Sequence, residues 1–202
     1  YECIRWNDQQ SSGGWIMNQG TNMSKPTKME IMSSLQDGFN SRVNPEWKAA
    51  GHDWLLAIAI EAGEVLDRIY KWWKKSPSED ENLKAQQIEH CDEFHFLLSA
   101  VLIADDEEGT MLKGLEEKLQ AIEPGGYISD DGSDAGNQAK LERINLSRRL
   151  MSAAAGHDLE TTIELFIESC TAYGITFELM YQLYIGKNAL NKARQDLGYG
   201  DV

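Results

Sequence analysis

No stretch of about 18 apolar residues occurs in the 202-residue chain, so no membrane-spanning helix is expected. No basic segment followed by an apolar one opens it, and no signal peptide is expected. Cysteine is scarce: Cys3, Cys91 and Cys170 stand far apart, form no CxxC pair and build no disulfide framework. That usage fits a reducing compartment, and the expected location is the cytoplasm. Basic residues are few, 19 Lys and Arg against 33 Asp and Glu, for a net charge of −14. Such a balance argues against sequence-independent nucleic-acid binding, which needs clustered cations. It leaves a nucleotide ligand open, because metal ions bridge acids to phosphates. Alternating strand-like patterns and internal repeats are also missing.

What is present is helical. Residues 1–22 are polar, rich in Gly, Ser, Asn and Gln, and lack an apolar period. They are expected to be a poorly ordered N-terminal extension, and residues 23–202 a single all-α domain. Met29, Met32, Leu35, Phe39 and Val43 recur every three or four residues, which predicts a helix over 26–43 with those residues on its buried face. Pro45 interrupts. A second helix is predicted over 53–73, and KKSPSEDEN is a turn in which Ser78 caps a third helix running to about Ala104. Further helices are expected over 106–122, 138–155, 158–173 and 176–196, with a flexible loop at 125–136.

Two of these helices carry acids where core residues would be expected. AIAIEAGEVL contains Glu61 and Glu64, and EHCDEFHFLL contains Glu89 and Asp92. Residues i and i+3 share a helix face, so each pair points one way. Taken singly, such a pair marks a solvated face in most proteins. Two pairs on consecutive apolar helices converge if the helices pack together, and four unpaired anions cannot share a partly dry site. Hard divalent cations resolve that conflict: Mg²⁺ takes carboxylate oxygens and completes its shell with water and phosphates. His95 shares a side with Asp92 and Cys91. His52 and His90 show no pattern, and Asp67 and Glu93 look like ordinary helix charges.

Cations cluster in two places. Lys187, Asn191 and Arg194 are spaced by 4 and 3 and make one polar face suited to phosphate oxygens, or simply a basic helix end. Lys71, Lys74 and Lys75 surround Trp72 and Trp73 at the end of the second helix.

The segments LQDGFN, WLLAIAIEAGEVLD, YKWWKK, IEHCDEFHFLLS and YIGKNALNKARQDLGY, in that order, resemble the dimeric all-α dUTPases. These belong with the MazG-like nucleotide pyrophosphohydrolases and include phage dCTP pyrophosphatase/dUTPases. The acidic motifs are common to all MazG-like enzymes; GKNxLNxxRQDxGY is more particular to the dUTPase branch. Tyr70 stands where the family usually has Trp, Ala193 replaces the usual Phe, and the family's GYKDGxY is here Gly198, Tyr199, Gly200, Asp201 and Val202. The resemblance implies a MazG-like helical bundle and a homodimer, in the host cytoplasm if a phage encodes it. It implies that Glu61, Glu64, Glu89 and Asp92 hold Mg²⁺ (or Mn²⁺ in its place), with Glu61 assisting the attacking water. It further implies that Gln36 and Asn40 meet the nucleoside and that Lys71, Trp72 and Lys74 lie near base and phosphates. Lys187, Asn191, Arg194 and Tyr199 would form the phosphate and sugar face, with His95 also in the substrate site. The implied reaction converts dUTP, and dUDP, to dUMP. Hydrolysis of dCTP, alone or alongside dUTP, is the nearest alternative, since an amide such as Gln36 both donates and accepts. A non-catalytic helical interaction module is the reading of a different class.

Overall fold

The fold is known from a computed structural model that describes residues 25–70 and 79–198. Those residues form seven helices and no strand: α1 (Lys28–Val43), α2 (Trp54–Tyr70), α3 (Glu79–Ala104), α4 (Thr110–Gln120), α5 (Asp134–Ala155), α6 (Leu159–Ala172) and α7 (Phe177–Asp196). The all-α expectation holds. None of these helices is long and apolar enough to cross a membrane. The extension at 1–22 and the capping role of Ser78 lie outside the described residues.

Helix α3 is the centre. It packs on α2 along most of its length and also touches α1, α4, α6 and α7, while α2 is covered on its other side by α5. The apolar core follows from that arrangement: Met29 and Met32 of α1, Ile58, Ala62 and Val65 of α2, Phe94, Leu97 and Val101 of α3, Leu150 of α5 and Phe166 of α6 are all buried. Phe94 stacks on Phe166 with ring centroids 5.7 Å apart, which ties α3 to α6.

Local chemistry sets the helix ends. Thr27 and Glu30 form a capping box, each side chain accepting the other's backbone N–H, at 3.1 and 2.6 Å. This places the start of α1 two residues later than the periodicity suggested. The fourth helix starts at Thr110 rather than 106, because Asp105 and Asp106 are spent as caps. Asp106 accepts from Thr110 N at 2.9 Å and Asp105 from Met111 N at 2.8 Å. The loop expected to be flexible over 125–136 is shorter, since Ser133 caps α5, which begins at Asp134. It is also tethered. Arg143 donates to Ile128 O at 2.9 Å, and its guanidinium lies 4.9 Å from the Tyr127 ring centroid.

Two corrections concern which residues are inside. On α1 the buried set is Met29, Met32, Gln36 and Asn40, while Leu35 and Val43 are exposed. Both sets obey helical spacing, and packing on α3 and α7 selects the polar one. Glu93 is not an ordinary surface charge: it is fully buried and lies 2.5 Å from Nδ1 of the equally buried His90. His90 Nε2 faces Ser169 Oγ at 3.4 Å, and its ring lies edge-on to Tyr173 at 4.3 Å. A buried carboxyl is tolerated only with such a partner. Replacing Glu93 by Ala strands the imidazole in the core. The variant should lose about 3 kcal/mol of unfolding free energy in a urea titration, the scale of breaking a buried charged or hydrogen-bonded pair. A loss within about 0.5 kcal/mol of wild type, the range of ordinary surface substitutions, would contradict this account.

Candidate active site

The packing of α2 on α3 brings Glu61, Glu89 and Asp92 together, with one carboxylate oxygen from each lying within 4.8 Å of the others. Glu89 is buried, and Glu61 and Asp92 are half-buried. Glu64 is exposed and stands outside this group, though its charge is felt at Glu61. Two cations offset the crowding. Arg68, two turns beyond Glu61 on α2, donates to Glu89 Oε1 from Nη2 at 2.7 Å and from Nε at 3.1 Å. Lys187 reaches across from α7 to Asp92 Oδ2 at 2.6 Å.

Among the described residues Glu61 has no such partner, and its electrostatics reflect that. Burial, then the charges of Asp92, Glu64, Glu89 and Glu93, push its pKa from an ordinary 4.5 up to about 7. Burial also raises Asp92, against the lowering effect of Lys187. Three oxygen donors of hard character, close together and mutually repelling, fit a small divalent cation. Glu61, Glu89 and Asp92 are the residues that could hold it.

Beside the carboxylates opens a cleft of about 380 Å³. Gln36 and Asn40 of α1, Glu61 of α2, Asp92 and His95 of α3, and Lys187, Asn191 and Arg194 of α7 all line it. The structure thus gathers every expected site residue among the described ones except Glu64 and Glu89 into one concavity, and Glu89 adjoins it through the carboxylate group. Lys71, Trp72, Lys74 and Tyr199 lie outside the described residues. Sequence reasoning missed the apolar wall of the cleft, made by Phe39, Val43, Trp47, Trp54 and Phe96. Helical spacing held a clue to part of it: Trp54 is seven residues before Glu61, and Phe96 four after Asp92. His52, which showed no pattern, also lines the cleft and lies edge-on to Trp54 at 5.6 Å. A larger concavity of about 670 Å³ lies between α5 and α6, but no group of carboxylates converges there and Glu168 is paired with Arg149.

Within the cleft His95 is held in one state. It stacks on Tyr184 at 4.2 Å and donates Nδ1–H to Cys91 O at 2.7 Å. Burial lowers its pKa to about 4, so the ring is neutral and Nε2 is an acceptor, buried and without a partner. The indole N–H of Trp54 is likewise buried and unpartnered.

A model of the all-α dUTPase family matches residues 28–199. The chain belongs to that family. Membership supports nucleotide pyrophosphatase activity of the dUTP/dCTP type, and the matched span includes all seven helices and the whole cleft. Among curated proteins, none matches this chain. The acidic group could hold a metal ion, and the family is typically metal-dependent.

The raised pKa of Glu61 has a measurable sign. A carboxyl whose pKa rises on folding binds its proton more tightly in the native state, so its ionisation costs stability. That cost is absent below about pH 4.5, grows as pH rises, and is complete above about pH 7. In the metal-free protein, Glu61→Gln should therefore raise Tm at pH 8 and leave it nearly unchanged at pH 4. Scanning calorimetry at the two pH values checks this, and equal shifts at both would refute it.

Proposed function

We propose that the chain is a Mg²⁺-dependent dUTP diphosphatase that hydrolyses dUTP, and dUDP, to dUMP. The observation that carries the reading is the convergence of amides, acids and bases on one cleft. Gln36 and Asn40 sit at one side, Glu61 and Asp92 at another, and Lys187, Asn191 and Arg194 on the third. A nucleoside triphosphate needs those three chemistries: amides for the base, acids for the cations bound to its phosphates, and cations for the charge on the leaving group.

Glu61, Glu89 and Asp92 would hold Mg²⁺, and Glu64, exposed and outside that group, is assigned to the metal on the family pattern alone. The metal, when bound, neutralises phosphoryl oxygens and acidifies water. Glu61 positions the attacking water and takes a proton on its carboxylate. Water adds at phosphorus and the bridging P–O bond breaks, so dUTP yields dUMP and pyrophosphate and dUDP yields dUMP and phosphate. Lys187 and Arg194, seven residues apart on α7, are nearly two turns apart and can meet different phosphates of one nucleotide. The apolar wall at Phe39, Trp54 and Phe96 excludes water from the base and sugar. Lys71, Trp72, Lys74 and Tyr199 are assigned to the substrate site on the family pattern alone. A homodimer in the cytoplasm completes the reading, and sedimentation should give about twice the 22.8 kDa chain mass. Residues 1–22 are assigned no role, and a chain starting at Met23 should keep turnover and Tm.

A second reading, hydrolysis of dCTP, draws support from the two amides, which donate and accept equally well. A non-catalytic module would have no use for an acidic group that destabilises the protein.

The test is a panel of dUTP, dCTP, dTTP and dATP, assayed for pyrophosphate release. Activity on the pyrimidine nucleotides should vanish in excess EDTA and return with Mg²⁺, and Glu89→Gln should abolish it in a folded protein. Full turnover in EDTA would sink the metal-dependent reading. Arg194→Ala should lower kcat/KM by about ten- to a thousandfold, and Arg194→Lys should restore only part, because the bidentate fork is lost.

A further inference from the structure

Four polar side chains form an unbroken hydrogen-bonded chain from α7 through α1 to α3. The Tyr184 hydroxyl is 2.7 Å from Gln36 Oε1, Gln36 Nε2 is 3.0 Å from Asn40 Oδ1, and Asn40 Nδ2 is 2.9 Å from Ser99 Oγ. Both ends terminate on main-chain carbonyls. Tyr184 OH is 3.1 Å from Met32 O, and Ser99 Oγ is 3.0 Å from His95 O. All four side chains are buried, and Gln36 and Asn40 line the cleft.

The symmetry of the ends has a chemical consequence. A carbonyl only accepts, a hydroxyl donates one proton and accepts others, and a primary amide does both. In one sense, Tyr184 donates to Gln36, Gln36 to Asn40, Asn40 to Ser99, and Ser99 to His95 O. In the opposite sense, Ser99 donates to Asn40, Asn40 to Gln36, Gln36 to Tyr184, and Tyr184 to Met32 O. Each sense makes four hydrogen bonds. They interconvert by turning two amides end for end and rotating two hydroxyls.

Turning an amide end for end exchanges the donor and the acceptor it shows to the cleft. Uracil and cytosine differ by that same exchange at two adjacent ring positions. Uracil offers N3–H as donor and O4 as acceptor, and cytosine offers N3 as acceptor and its 4-amino group as donor. We propose that Ser99 and Tyr184, which touch opposite ends of this chain, are positioning residues that set base preference by favouring opposite senses of it. The inference rests on the reading of the cleft as a pyrimidine nucleotide site with Gln36 and Asn40 at the base.

Removing one end breaks the balance predictably. In Ser99→Ala the sense that runs toward His95 O loses two bonds and the opposite sense loses one, so the opposite sense wins. In Tyr184→Phe the count reverses: the sense that runs toward Met32 O loses two and the other loses one. Both substitutions delete a single oxygen from a packed site, and Phe keeps the ring that stacks on His95.

The experiment measures kcat/KM for dUTP and dCTP, and Kd for dUMP and dCMP by calorimetry, in wild type and both variants. The ratio of uracil to cytosine preference should shift in opposite directions in the two variants, by about tenfold each, the scale of one hydrogen bond. Loss of packing alone would weaken both bases together and move neither ratio. Ratios that shift in the same direction, or stay within about twofold of wild type, overturn the inference while nucleotide hydrolysis by wild type leaves the proposed function standing. A wild type that neither hydrolyses nor binds any pyrimidine nucleotide overturns both. Should Ser99→Ala fail to fold, Ser99→Cys, a far weaker donor of similar size, replaces it under the same criteria.

Discussion

The repulsion among Glu61, Glu89 and Asp92 is the constraint around which this bundle is arranged. Helix packing rewards burial of apolar surface, and here two helices in tight contact carry acids at their common edge. The bundle tolerates them because Arg68 and Lys187 arrive from the two flanks and because the edge borders an open cleft. Of the three, Glu61 alone has no counter-charge among the described residues, and its proton affinity rises accordingly. A protein maintained for stability alone gains nothing from that arrangement. Its retention makes sense only for a ligand that brings positive charge with it.

The cleft is a division of labour among helices. α1 contributes neutral amides, α2 and α3 contribute acids, and the C-terminal half of α7 contributes cations. Within the cleft the acids and the cations stay on separate elements, so charges of opposite sign face each other across the gap instead of cancelling along one helix. The Lys187–Asp92 bond is the exception. It joins the acidic and basic walls directly and makes α7 part of the carboxylate group's environment.

Much of this was legible in the sequence. The spacing of apolar residues located the helices, and the pairs Glu61/Glu64 and Glu89/Asp92 stood out because they interrupt otherwise apolar turns. Where the reading failed, the reason was tertiary. On α1 two sets of residues satisfied the same period, and Leu35 looked a better core residue than Gln36. Burial of Gln36 became favourable only once Tyr184, on α7, added a hydrogen bond to the one that Asn40 offers a turn away. Glu93 looked solvated because its partner, His90, had no distinguishing neighbours, and only the seven-helix packing places both in the core. Asp106 read as the start of a helix, whereas it and Asp105 precede α4 and accept its first N–H groups. Residue type alone does not separate those roles.

Helix α3 is surrounded on nearly all sides and carries a different polar group toward each neighbour. His95 lies under Tyr184, Asp92 against Lys187, Glu89 against Arg68, and His90 with Glu93 beside Ser169. Each residue step turns a helix by about 100°, so a slip of one position would rotate every one of these groups away from its match and press each against an apolar surface. A uniformly greasy central helix could settle in several registers of similar energy. This one has a single register, and the geometry of the carboxylate group is thereby encoded in the assembly of the bundle itself.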